Sequence, residues 1–372
     1  MIRGKTWVLV GLLLAATSVA WPARKKKVDK EEETQTLQLP KELPNFVVGE
    51  TRRLTFYVTP LSAKGLLSQQ VRDGLKALDR EDGDDAVLQI RAFVAGSGDL
   101  RRVRDLISET FAEHRQPLPV VSIVQSGGLP LTGAQVVFEA VASSRRELHP
   151  GGLAWISAQT ASTENPLAPV PPLAEQSLAD LSKAVAAAGA DPAAVLRVTC
   201  FVSSLDKIEA ARAKLAGQYP RAAINLMQTQ REPIRSIAGC EAVAAPGEAQ
   251  GPRLEFRNPP QLAHSADVSQ IAVLRAPHSV FTSAQVSFGF EDRDARLAFE
   301  RLQKVLEQAG VTPADAAFVR FYPLSQKIAD QIRRVRPGFF AGPTLPAGSV
   351  LLFEGLSSLD AGFAVDVVAA KD

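Results

Sequence analysis

The tetrapeptide Glu139-Ala140-Val141-Ala142 returns as Glu241-Ala242-Val243-Ala244, and Ser157-Ala158-Gln159 returns as Ser283-Ala284-Gln285. Ala86-Val87-Leu88 likewise has a counterpart in Ala194-Val195-Leu196. Chance supplies one such match but not several in a consistent order. The chain therefore reads as three homologous units of about 100 residues, a period too long for a solenoid. With 372 residues, 46% of them apolar, two to three domains of ordinary size can each close a core.

Hydrophobic periodicity gives every unit the same order: strand, helix, strand, helix, strand, strand. In the first unit these are a strand over 52–60, a helix carrying Leu67, Val71, Leu75 and Leu78, and a strand over 86–95. A helix with Leu100, Val103, Ile107 and Phe111 follows, then strands over 119–124 and 134–142. The middle unit has a strand at 153–157, a Pro-rich loop at 166–172, and a helix with Leu178, Leu181 and Val185 that stops at Gly189, as a C-terminal glycine dictates. A strand over 195–202, a helix with Ile208, Ala211 and Leu215, and strands at 222–227 and 237–244 complete it. Beyond a Pro/Gly/Gln linker at 246–252, the third unit has a strand at 280–285 and a helix with Leu297, Leu302, Val305 and Leu306, stopped at Gly310. Strand 316–323, a short helix with Ile328, Ile332 and Val335, and strands 350–353 and 363–369 end the chain.

Residues 1–20 place Arg3 and Lys5 before an apolar run and end in small residues, which reads as an export signal cleaved after Ala20. The run is too short to cross about 30 Å of hydrocarbon comfortably, although the basic Arg24–Lys27 block just beyond it opposes export. Residues 21–45 read as a disordered charged linker. The expected location is periplasmic or secreted, with no stable membrane insertion after cleavage. Cytoplasmic or anchored placement is the alternative.

Lys plus Arg number 42 against 40 for Asp plus Glu, so nothing points to a nucleic-acid footprint. Cys200 and Cys240 lie in strand-like runs and read as two buried thiols, with a bridge open if the strands are neighbours. The four histidines, at 114, 149, 264 and 278, have no metal spacing and read as surface or linker residues. No cofactor or metal motif is found.

The middle unit resembles the RidA/YjgF family of reactive-intermediate deaminases along nearly its whole length. The resemblance rests on GGLAWISAQT, AAAGADPAAVLRVTCFVSSL, YPRAAINLM and the closing CEAVA, in that order. The outer units resemble divergent members through VVSIVQSGGLP with VVFEAVA, and through VFTSAQ. This implies an α+β, chorismate-mutase-like fold in each of three tandem domains, 46–146, 147–250 and 253–372, each a mixed sheet with two helices on one face. Because the family is homotrimeric with clefts between subunits, the resemblance further implies an intramolecular pseudo-trimer in a monomeric chain.

In that family an arginine at the start of the fifth strand grips the carboxylate of an imino or enamino acid while water attacks the imine carbon. Arg221 falls at that position, offset by one residue, and is the expected catalytic residue; its planar fork suits a carboxylate. Ser157, Ala158, Gln159 and Asn225 are the expected substrate-binding residues. The first and third units have Val121 and Gly348 in place of the arginine, and the acid that positions water is replaced by Val137, Gly239 and Ala364. Glu139 and Glu241 read as capping or pairing groups at a sheet edge. Two functions follow: hydrolysis or binding of a small imino or enamino acid at Arg221, or a non-catalytic pseudo-trimer with degenerate sites that binds a small molecule or protein.

Overall fold

A computed structural model describes residues 41–372 except 84, 97, 264 and 343, and not the side chain of 82. The expected export signal (1–20), most of the expected linker and His264 lie outside these residues. Residues 41–45, placed in the linker from sequence, pack on the fold: Leu43 is buried and Ser108 Oγ donates to Lys41 O at 2.7 Å.

In chain order the first segment forms β1 (Phe46–Glu50), β2 (Leu54–Val58), α1 (Leu67–Asp82), β3 (Ala86–Ala95), α2 (Leu100–Glu113), β4 (Val120–Ser126) and β5 (Val136–Ser143). The middle segment forms β6 (Leu153–Thr163), α3 (Val170–Ala187), β7 (Val195–Val202), α4 (Glu209–Gln218), β8 (Ala223–Gln228) and β9 (Ser236–Ala244). The last forms β10 (Leu254–Arg257), β11 (Ile271–Leu274), β12 (His278–Thr282), β13 (Gln285–Phe288) and α5 (Asp292–Gln308). It ends with β14 (Ala316–Pro323), α6 (Gln326–Val335), β15 (Ala347–Val350), β16 (Gly355–Leu356) and β17 (Ala361–Lys371).

Three mixed sheets result, and each contains the same four-strand order: β2-β5-β3-β4, β6-β9-β7-β8 and β12-β17-β14-β15. The last pair of each quartet is parallel and the others antiparallel. A register shift recurs at one place, between Val87 and Gln89, between Val195 and Arg197, and between Ala316 and Phe318. A bulge bends its strand and re-aims the side chains beyond it, so the repeat seen in the sequence extends to a local irregularity of the backbone.

Sheets and segments do not coincide. β1 pairs with β12 in the third sheet, β10 and β11 extend the second sheet through β6, and β16 pairs with β4 in the first. Strands are therefore exchanged between segments. The strand expected over 350–353 lies instead at Ala347–Val350. Beyond Val350 the chain leaves the sheet because Leu351 and Phe353 turn into an interior cluster with Phe93, Phe201 and Tyr322.

Two helices cover one face of each sheet: α1 and α2 the first, α3 and α4 the second, α5 and α6 the third. Their apolar stripes are those of the sequence, for example Val71, Leu75 and Leu78 of α1 against Ile90 and Ala92. Asp99 caps α2 by accepting from the Arg101 and Arg102 amides, satisfying donors that the first turn leaves open. Gly189 and Gly310, just past α3 and α5, have φ of +76° and +75°, a conformation that favours glycine.

The opposite faces of the three sheets meet in a common interior. Leu54, Phe56, Trp155, Val243, Phe281 and Phe318 belong to one buried cluster drawn from all three. The registers stack this interior in layers. Gln89, Arg197 and Phe318 lie opposite Val141, Val243 and Val368; Arg91, Thr199 and Arg320 opposite Glu139, Glu241 and Asp366; Phe93, Phe201 and Tyr322 opposite Val137, Gly239 and Ala364. Burying an aromatic or large aliphatic side chain contributes about 1.5–3 kcal/mol, so the apolar members of the first and third layers drive association of the sheets. The charged layer between them must be neutralised internally.

Candidate functional site

That charged layer contains three acids, Glu139, Glu241 and Asp366, and is completed by three arginines, Arg91, Arg197 and Arg320, all at most 3% exposed. The formal charges cancel. Asp366 takes Nη2 of Arg91 at 2.6 Å and Nε at 3.2 Å, with Ser122 Oγ at 2.8 Å and the Tyr322 hydroxyl at 2.7 Å also donating to it. Glu139 accepts from Thr199 Oγ1 at 2.6 Å, Asn225 Nδ2 at 2.9 Å and Arg320 Nη1 at 3.4 Å, with Arg197 Nη1 at 3.7 Å. Arg320 also pairs with Glu241. Desolvating such groups costs several kcal/mol each unless they are paired, and here every pair joins different sheets.

Burial opposes ionisation of Glu139, but Arg197, Arg320 and Arg91 outweigh it and hold the carboxyl down at about 2. Asp366 is also held low: burial raises it, and Arg91 and Arg320 prevail. Arg197 is the least compensated cation. Burial pulls it down to about 9 against the attraction of Glu139, and its guanidinium carbon rests 5.4 Å from the Phe56 ring centroid and 5.9 Å from that of Trp155, a cation–π setting. Sequence reasoning put Glu139 and Glu241 at a sheet edge; they lie instead on interior strands. The signal was present, since β3, β7 and β14 each carry an arginine in an otherwise apolar or neutral run.

Around this centre run three equivalent seams, each between the early strand of one unit and the fourth strand of another. Seam one sets Thr59 and Pro60 against β8 and holds a cavity of about 240 Å³ lined also by Asn225 and Arg212. Asn225 is buried and spends its amide on Glu139. Arg221 sits in the turn before β8, exposed; it does not line this cavity and makes no hydrogen bond or ion pair among the described residues.

Seam two sets Ser157 and Gln159 against β15. The Ser157 hydroxyl donates to Ser269 O at 2.5 Å and accepts from the Gly348 amide at 2.7 Å, so its one donor hydrogen is spent across the seam. Gln159 Nε2 donates to Ser157 O at 2.9 Å and to Gln270 Oε1 at 2.8 Å. Ala158, half-buried, packs against the aromatic interior cluster. No arginine fits at position 348: a Cβ there would lie 2.0 Å from Val319 O in the parallel pair. Of the five residues singled out from the sequence, Asn225 falls on seam one and Ser157, Ala158 and Gln159 on seam two, while Arg221 lies apart, exposed in the turn before β8.

Seam three sets Ser283, Ala284 and Gln285 against β4, with Val121 where the sequence resemblance expects an arginine. Its cavity, also about 240 Å³, is lined by Arg104 of α2 and Arg301 of α5. Neither arginine stood out in the sequence, because both occupy helix positions where charged residues are ordinary. Two further expectations are corrected. Cys200 and Cys240 form a disulfide, since β7 and β9 are adjacent and pair these residues directly. His149 is buried, its Nε2 2.8 Å from Leu54 O, with burial lowering its pKa.

No protein-family model matches the sequence, and no curated protein matches it. Solved structures similar to part of the chain include a conserved Rid-family protein, YyfB, from Yersinia pestis, 19% identical over 32% of this chain and 99% of that one, with a TM-score of 0.30. A member of the YjgF/YER057c/UK114 family from Mycobacterium tuberculosis is 21% identical over 25% of this chain and 79% of its own, with a TM-score of 0.24. The YjgF gene product of E. coli is 17% identical over 25% and 81%, also at 0.24. Each likeness spans most of the solved chain and a third or less of this one. Among the described residues no helix is long and apolar enough to cross a membrane.

Proposed function

We propose that the chain is a single-polypeptide version of the RidA/YjgF trimer, its three seams standing where the family has clefts between subunits, and that it binds small molecules rather than hydrolysing imines. The observation that carries this reading is the fate of the family-matched groups. The Ser157 hydroxyl and the Asn225 amide are hydrogen-bonded into neighbouring units, and Arg221 faces solvent apart from them. No acid replaces the missing water-positioning group, as Gly239 and Ala364 occupy those places, so general base catalysis has no agent. Export fits the same reading. The Cys200–Cys240 bridge suits an oxidising compartment, while the family's short-lived imines arise next to cytoplasmic enzymes.

The test is ammonia release from imines generated in situ, with wild type and Arg221→Ala side by side. The expected rate for both equals that of buffer. Turnover by the wild type that Arg221→Ala abolishes would restore the deaminase reading and overturn this one.

A further inference from the structure

Seam three differs from seam one in its charge. Two arginines, one from each flanking unit, line its cavity, and no carboxylate does. Arg104 is exposed and has no hydrogen-bond or ion-pair partner among the described residues. Arg301 is half-buried: Nη1 donates to Val286 O at 2.5 Å and the guanidinium carbon lies 5.4 Å from the Phe288 ring centroid. These contacts fix its orientation and leave its remaining nitrogens without a described partner. Val121 and Ile123 supply an apolar wall.

The segment just before β1 closes another side. Leu43, Pro44 and Asn45 line the cavity, held at one end by the Ser283 amide donating to Asn45 O at 2.8 Å and at the other by Ser108 Oγ on Lys41 O. The site therefore has a cationic side, an apolar wall and a strap, all built from this one chain.

We propose that seam three binds a small organic dianion, its charged head between Arg104 and Arg301 and its compact apolar body against Val121 and Ile123. One negative charge leaves the arginine pair a net cation, whereas two neutralise it, and guanidinium forks match both phosphate and carboxylate oxygens. A cavity of about 240 Å³ lies below the range of roughly 300–1,000 Å³ typical of drug-sized ligands, which limits the body to a single ring or a short chain. The inference deepens the binding reading and does not involve Arg221, Ser157 or Asn225, so imine turnover at Arg221 would overturn the earlier proposal and leave this one standing.

Isothermal titration of the full chain with phenyl phosphate, phthalate, benzoate and inorganic phosphate tests it. At least one of the two organic dianions is expected to bind at least tenfold more tightly than benzoate and than inorganic phosphate, and the stronger of the two identifies the head group. Arg104→Ala and Arg301→Gln are each expected to weaken it at least tenfold, as loss of a charge-assisted hydrogen bond does. Val121→Glu, which brings a carboxylate to the wall, is expected to abolish it, with thermal unfolding of each variant confirming the fold. Benzoate binding as tightly as the dianions, affinity unmoved by the arginine substitutions, or no binding of any probe overturns the proposal.

Discussion

Arg91 and Asp366 stand 275 positions apart in the chain and meet in a two-pronged ion pair that ties the first sheet to the third. Removing one partner strands the other in the interior. Asp366→Ala is expected to cost about 3–5 kcal/mol, read as a lowered urea midpoint. The double variant Arg91→Met with Asp366→Leu, which removes both charges, is expected to lose less than Asp366→Ala alone. A loss below about 1 kcal/mol in the single variant would show that the pair does not hold the sheets together.

Acid should loosen the same centre. Glu139 is lowered from 4.5 to about 2 in the folded protein, so its contribution is fully present above about 4.5 and is lost as the pH falls through about 2. Asp366 shifts in the same direction. The thermal midpoint is expected to be level from pH 7 to about 5 and to decline below. Glu139→Gln, less stable at neutral pH, should approach the wild type as the pH drops. A constant gap between them down to pH 3 would remove Glu139 as the cause.

The bridge between Cys200 and Cys240 spans 40 positions and joins neighbouring strands beneath α3 and α4. Intact mass after alkylation in denaturant without reductant is expected to show no added label. Replacing both cysteines by alanine should lower stability by about 2–4 kcal/mol, and reductant should lower the wild-type midpoint but not that of the variant. Label on both cysteines before reduction contradicts the pairing.

Strand exchange and seam bonds all close within one polypeptide in this arrangement. Sedimentation equilibrium of the full chain is therefore expected to return the mass of one copy, 39.8 kDa before any processing. A trimer of chains would refute the intramolecular assembly.

Much of the element order could be read from the sequence, since periodicity is local. Ala86–Ala95, Val195–Val202 and Ala316–Pro323 are strands over the expected residues. Pairing is not local. Nothing in Phe46–Glu50 says that it will join His278–Thr282 rather than the strand that follows it, because either choice buries similar side chains. The resemblance gives positions within a unit without saying which unit faces them, so Asn225 and Gln159 read as one site although they bond to different neighbours. The acids of the charged layer were visible as a repeated string, but their partners come from other sheets.

The charged layer also bears on how such a chain can change over time. Where Arg91 and Arg320 stand in the outer units the middle one has Thr199, and the cation it lacks is supplied two residues earlier by Arg197. Identical copies could not make that trade, because each would carry the same residue at both places. Each sheet carries one arginine and one acid of the layer, yet every ion pair crosses to another sheet. A substitution in one segment is therefore answered in another, and the three sequences have to change together.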